Sequence, residues 1–330
     1  MFRCAADLPT VTKSGFLDRG EFTLTVFVEG GAFQTGGGQI PFFGGFAAFT
    51  TLFGGAFPAG SIPNVNPGWG WDIAAGADYR FAGTPWHVNT QFRYGQTNKL
   101  DSGSTSVFAS TFNLSFPGFA INALAATTPT LEEKHWQADF GAGFDFMRGA
   151  QVNFGFRVAE IRSDLTASTA FVLTATGGGA ANASVVEADK RSFLGAGPRI
   201  GLDGSVPIWG PLSFDYAGDA AILFGNTKLA TGEVFGFGIT APGFALGATG
   251  IPVNQRSWSS PNTVYNFDVQ AGFSYWFTPH MRLGISYRLD AFIDALRTAP
   301  DDGSLTAAIG PGRSIDRFYH GPKATLAAKF

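Results

Sequence analysis

The side chains of this chain with the means to do chemistry are its scattered charges. Arg80, Arg93, Arg157, Arg199, Arg282 and Arg288 are set among Asp72, Asp139, Asp145, Asp203, Asp215, Asp219 and Asp268. Opposite charges held in a narrow enclosure do one of two things: they line a path for ions, or they pair and fill the space. Both readings are open on the sequence alone. His87 and His135 offer a base, with Asp139 as an orienting partner or metal co-ligand, yet no Ser, Cys or second carboxylate falls beside them at a recognised spacing. Each histidine therefore reads as a hydrogen-bonded wall residue. Asp301-Asp302-Gly303 has the composition of a calcium loop without its remaining ligands and reads as a turn. Gly36-Gly37-Gly38 lacks the lysine that would make it a phosphate cradle. The expectation is a protein without catalytic residues, cofactor or metal.

The elements that must hold those charges are strands. From Trp69 to Gln96, Trp69, Trp71, Ile73, Ala75, Ala77, Tyr79 and Phe81 alternate with Gly70, Asp72, Ala74, Gly76, Asp78 and Arg80. After a break at Ala82-Gly83-Thr84-Pro85, Trp86, Val88, Thr90, Phe92 and Tyr94 alternate with His87, Asn89, Gln91, Arg93 and Gly95. A period of two is a strand, and two such runs across a short break are a hairpin. Trp136 to Phe146, Val152 to Val158, Phe267 to Phe277, Met281 to Leu289 and Phe318 to Phe330 repeat the pattern. The apolar faces carry aromatics at both ends and smaller residues between, as strands do when their ends meet two membrane–water interfaces. A soluble sandwich explains the alternation but not the paired aromatic girdles.

This predicts an all-β antiparallel transmembrane barrel of about ten strands, with twelve as the alternative, in which short periplasmic turns alternate with long extracellular loops. Trp69, Trp71, Trp86, Trp136 and Tyr275 are expected at the lipid interfaces. Arg93, Asp139, Arg157, Arg199, Asp219, Asp268, Arg282 and Arg288 are expected to line the lumen. Ten strands at about 4.8 Å spacing and a tilt near 40° give a backbone radius of roughly 10 Å, room for a thin water path at most. If Val206 pairs with Leu212 across the Pro207 to Pro211 turn, Arg199 faces Asp219 and Asp203 faces Asp215.

Composition agrees with membrane insertion. Only 14% of the 330 residues are charged, Phe numbers 35, and the net charge of −3 offers no polyanion-binding signature, so nucleic acid is not an expected partner. The single cysteine, Cys4, excludes an intrachain disulfide. Residues 1–20 read as a flexible leader ahead of one barrel domain, 21–330. Ala5-Ala6-Asp7 resembles a signal-peptidase site whose preceding apolar region is missing from this sequence. Phe42 to Gly60 is apolar but rich in Gly and contains Pro58, which argues for a loop over a membrane helix. The stretches Gly30 to Asn66, Thr97 to Thr130 and Asn226 to Ser260 carry enough apolar residues that they are expected to fold over the barrel mouth or pack on a partner. Pro117-Gly118-Phe119-Ala120 and Pro242-Gly243-Phe244-Ala245 repeat within two of the long connections and mark similar turns.

Gly195-Ala196-Gly197-Pro198-Arg199-Ile200-Gly201-Leu202-Asp203, followed by Ala220-Ala221-Ile222-Leu223-Phe224-Gly225, resembles the central signature of the Legionella-type major outer membrane protein family. The segments Gly70 to Tyr94 and Asn266 to Leu296 are similar in style to its flanking strands, so the resemblance runs from about residue 69 to the end and leaves out Gly30 to Asn66. It implies a pore-forming protein of the Gram-negative outer membrane. The terminal Phe330 resembles the recognition signal through which the barrel-assembly machinery takes up a last strand. The function expected is thus a passive narrow pore for ions or small solutes. The alternative is a closed barrel that anchors apolar extracellular loops for self-association or partner binding. Outer-membrane lipid and a second copy of the chain are the other expected partners.

Overall fold

The computed structural model describes residues 22–38, 40–41, 64–65, 67–98, 108–116, 119–147, 149–175, 179–241, 244–298 and 313–330. The leader with Cys4, the Phe42 to Gly60 stretch, the Pro-Gly pairs of the repeated motif and Asp301-Asp302-Gly303 lie outside them. The strands are β1 (Thr23–Gly37), β2 (Ile40–Pro41), β3 (Asn64–Val65), β4 (Trp69–Arg80), β5 (Trp86–Thr97), β6 (Phe108–Phe116) and β7 (Phe119–Met147). They continue with β8 (Ala150–Ala175), β9 (Gly179–Trp209), β10 (Leu212–Ala241), β11 (Phe244–Thr278), β12 (Met281–Arg297) and β13 (Ser314–Lys329).

Ten of these strands close a ring of antiparallel neighbours in the order β5-β4-β1-β13-β12-β11-β10-β9-β8-β7, with β7 returning to β5. First and last strands meet at Thr25↔Lys329, and Trp86↔Phe144 belongs to the closing seam. Closure leaves no edge within the lipid-facing band, as a bilayer demands of a sheet. β6 is an eleventh strand, added to β7 outside the ring, and β2 pairs only with β3. Tight turns join β4 to β5, β7 to β8, β9 to β10 and β11 to β12 at one end. Gly149 and Gly210 sit in two of them with φ of 83° and 54°, a conformation glycine adopts without a steric penalty.

β7 to β11 are 29, 26, 31, 30 and 35 residues long, whereas a bilayer needs about 9–11 per strand. This corrects the expected loops. The described parts of 160–190 and 226–260, and 119–130, continue as ladders, so the wall stands far beyond the lipid band on one side of the ring. The chemistry along β8 explains it. Up to Val158, the outward residues Phe154, Phe156 and Val158 are apolar, and the inward Asn153 and Arg157 are polar. From Glu160 on, the outward residues Glu160, Arg162 and Asp164 are polar, and the inward Ile161, Leu165 and Ala167 are fully buried. The face that points inward never changes; the medium outside changes from hydrocarbon to water, and the outward face of β8 turns polar with it, while the interior gains apolar residues beside buried polar ones such as Ser163 and Thr169.

The register between β9 and β10 also departs from expectation. The turn falls at Gly210-Pro211, and with a one-residue bulge at Leu212/Ser213 the pairing is offset by two residues from the expected one, so that Val206 meets Phe214, Arg199 meets Ala221 and Asp219 meets Gly201. Asp203 is thereby opposite Ala217, which removes the predicted contact with Asp215. One added residue in a turn costs little, whereas two carboxylates directly opposed in the wall are destabilising.

Close packing of the interior has a testable consequence at Gly143. It lies between His87 on β5 and Asn153 on β8, whose side chains join above it at 3.0 Å, and a β-carbon there would overlap both. Gly143→Ala should therefore destabilise the barrel by about 1–3 kcal/mol. A lower temperature for the conversion of the fast-migrating folded band into the unfolded band on gels would be the readout.

Candidate functional site: the layered lumen

The inward side chains stack in layers along the barrel axis. Nearest the tight turns, Arg80 approaches Asp78 at 3.3 Å and also bonds Asp145 and Gln151, and Gln151 donates to Asp203 at 2.6 Å. On the other wall Arg282 reaches Asp215 at 3.4 Å and lies over the Trp276 ring. These groups meet water: the side chains of Arg80, Arg282 and Asp215 are about 30% exposed.

At mid-height the pairs tighten. Arg157 holds Asp139 with both Nε (2.7 Å) and Nη2 (2.6 Å) and reaches across the lumen to Asn266 on β11. Arg199 Nε donates to Asp219 at 2.7 Å and lies 3.8 Å from Asp139. Their positions are offset by two residues across the ladder, so the pair forms diagonally despite the altered register. Arg288 is bidentate to Asp268 and lies 3.4 Å from Asp290, which accepts from Asn266 at 2.7 Å. Arg93 pairs with Glu29 at 3.0 Å and approaches Asp72 at 3.7 Å, and Lys323 pairs with Asp72 as well. Arg157 and Arg288 are buried. Bidentate carboxylates and these cross-lumen bonds are what make such burial tolerable.

Above the charges, Arg317 Nε donates to Glu133 at 2.8 Å, and the Tyr319 hydroxyl donates to the same carboxylate at 2.7 Å. His135 stacks on Tyr319 with ring centroids 4.0 Å apart, and Phe33 packs edge-on to both. His87 engages Asn153 and lies 3.4 Å from Asp78. Both histidines thus sit in the wall packed against neighbours. At Phe33 this group merges into an apolar layer that continues towards the long-strand end, in which Leu131, Ile161, Phe193, Leu223 and Leu296 join Phe33 from six strands in all, none more than 1% exposed.

The eight residues named from sequence all face inward. Seven lie in the mid-height network, and Arg282 lies lower, beside Asp215. Glu29, Glu133, Asp290, Arg317, Tyr319 and Lys323 complete the network and were missed. Each is at an inward position of its strand, so extending the alternation of β1, β7, β12 and β13 by a few residues would have found them. On the outside, Trp69 and Trp71 are exposed at the end with long strands, while Trp86 and Tyr275 are exposed at the end with tight turns. Trp136 is half-buried and donates its Nε1 to Glu160 at 2.7 Å. Phe330 is exposed on the outer wall, its N–H donated to Leu24 at 2.8 Å.

Residues 44–313 match the model of the family described as Legionella pneumophila major outer membrane protein precursor, a match that begins inside the Gly30 to Asn66 stretch. No curated protein matches the chain. Among solved structures it is similar to the outer membrane protease OmpT from Escherichia coli, with a TM-score of 0.46 and 11% identity over 94% of this chain and 97% of that one. It is also similar to the Ralstonia pickettii toluene transporter TbuX (TM-score 0.23, 10% identity, 94% and 89% covered). Neisserial surface protein A (NspA) is a third such structure (TM-score 0.21, 12% identity, 68% and 99% covered).

Proposed function

Because the chain belongs to the Legionella pneumophila major outer membrane protein family and forms a β-barrel of the Gram-negative outer membrane, we propose that it is a barrel closed to solutes at its outer rim, a membrane anchor for the strands that rise beyond it. The observation that carries this reading is the apolar layer. Phe33, Leu131, Ile161, Phe193, Leu223 and Leu296 are each at most 1% exposed. An ion crossing it would shed its hydration without receiving a ligand, a penalty of several kcal/mol or more. The paired charges beneath neutralise one another, so they offer a passing ion little net field. In this reading the extended wall of β7 to β11 is the functional surface, presented to a partner or to a second copy, and Phe330 is the residue that the assembly machinery recognises.

A passive narrow pore is the second reading, and it is favoured by the water-accessible charges at the turn end, where Arg80, Arg282 and Asp215 form a vestibule. It requires the apolar layer to move. Purified barrel in planar bilayers separates the two: the anchor shows no stepwise conductance, and reproducible unitary steps would overturn it. In the pore case, Arg199→Ala shifts selectivity towards cations and Asp219→Ala towards anions, read as opposite reversal potentials in a salt gradient.

A further inference from the structure

The outer wall carries a basic cluster that the lumen does not use. On β8, β9 and β10 the outward face stays apolar up to Val158, Leu194 and Phe224, and in each strand the second outward position beyond that limit is a cation: Arg162, Lys190 and Lys228. The ladders bring the three together. Arg162 and Lys228 stand opposite Ser192 from its two sides, and Lys190 is two residues along from Ser192, diagonal to both. Diagonal neighbours on one face lie about 7–8 Å apart, within reach of long side chains. The three positions therefore surround the Ser192 hydroxyl.

The surrounding carboxylates neutralise one cation of this cluster and leave two. Glu160 takes Arg162 at 2.9 Å and Glu132 takes Lys134 at 2.8 Å. Asp164 is opposite Lys190, yet no ion pair or hydrogen bond to Lys190 or Lys228 is formed among the described residues. The cluster is also one-sided. β11 offers Thr263, Pro261, Ser259 and Ser257 on the corresponding face, and β1 offers Ala32 and Gln34.

We propose that Arg162, Lys190, Lys228 and Ser192 bind the phosphorylated sugar headgroup of an outer-leaflet glycolipid, whose acyl chains run down the wall over Leu194, Ile222 and Phe224. The tight turns mark the periplasmic end of such a barrel, so the cluster lies on the extracellular side. It sits immediately above the apolar band, at headgroup depth. Cations at that depth attract anionic headgroups, and a guanidinium with two ammonium groups and a hydroxyl matches a phosphate in charge and donors. The exposed Leu194, Ile222 and Phe224 directly below supply the apolar half of an amphiphile's site. A free anion would gain nothing from that half.

The test uses the folded barrel in non-ionic detergent, titrated with bisphosphorylated lipid A, with dephosphorylated lipid A and with inorganic phosphate. Wild type should bind the phosphorylated lipid at least about tenfold more tightly than the dephosphorylated one. Lys190→Gln/Lys228→Gln should lose that preference while remaining heat-modifiable. Equal affinity of wild type for the two lipids, or a double variant that keeps the preference, overturns the proposal. So does inorganic phosphate that displaces the lipid at comparable concentration, because the site then recognises a bare anion. Should the double variant fail to fold, salt titration of wild type decides: added salt must weaken the phosphorylated lipid selectively, and an equal effect on both lipids rejects the site.

Discussion

Arg157→Ala is expected to lower the stability of the folded barrel by about 3–5 kcal/mol, the range for breaking a buried ion pair by removing one partner. The guanidinium is buried on β8 and bonds Asp139 through two nitrogens, and its third nitrogen reaches Asn266 on the far wall. Truncation leaves the buried Asp139 carboxylate with only Arg199, at 3.8 Å. The exposed pair Arg162–Glu160 provides the contrast, since its loss should change stability by less than about 1 kcal/mol. Urea unfolding of the purified barrel in micelles measures both. Asp139→Leu/Arg157→Met should recover most of the loss, because the penalty comes from an unpaired charge and not from a missing attraction. If Arg157→Ala unfolds like wild type, the mid-height layer is wetter than its burial implies, and the closed-lumen reading weakens with it.

Phe140→Arg should impair assembly by about 2–4 kcal/mol, the cost of a cation near the lipid midplane on the outer face of a barrel. Phe140 is outward on β7, opposite Thr90 and Phe156, midway between Trp136 and Phe144. Asn226→Arg, two positions beyond Phe224 on β10, places the same charge just above the apolar band, where the cost is about 0–1 kcal/mol. The yield of heat-modifiable barrel in outer membranes should therefore fall for the first and hold for the second. Equal yields would show that the band of exposed Phe, Val and Leu does not face hydrocarbon.

Closure and surface are linked in this molecule. Glu133, Arg317 and Tyr319 and the apolar layer lie where the short strands end and β7 to β11 continue, so in the closed-lumen reading the same residues would serve as seal and as foundation of the extracellular wall. Arg162, Lys190 and Lys228 ring that foundation on the outside, on three of the five strands that rise. A lipid held there would brace the tall side of the barrel at the level of its seal.

The local pattern of the chain determined a good deal without any coordinates. Alternation, clearest from Trp69 to Gln96 and from Phe267 to Leu289, was sufficient for strands, their faces and an antiparallel barrel of about ten strands, with twelve left open, because a strand's two faces meet different media inside the lipid band. It also sorted Arg157, Asp139, Arg288 and Asp268 onto one face, since parity does not depend on partners. Three features were decided only by the tertiary structure. The strands beyond Glu160, Ser192 and Asn226 looked like loops because both of their faces are mixed: outward, Lys190 and Lys228 alternate with small residues and Val186 and Val234, and inward, Ile161, Leu165 and Leu229 share the interior with Arg191, Asp189, Glu187 and Glu233. Alternation of polarity fades there, and which face is inward is legible only once the pairing partners are known. The register of β9 on β10 depends on where the turn falls, at Gly210-Pro211, and on the bulge at Leu212/Ser213 that follows it, local backbone choices that avoid opposing Asp203 to Asp215 and that alternation cannot encode. Whether the lumen is open depends on six side chains from six strands joining one buried cluster, with Phe33 and Leu296 separated by most of the chain. Such convergence is a property of barrel shear and side-chain volume, which sum over all the strands and are written in none of them singly.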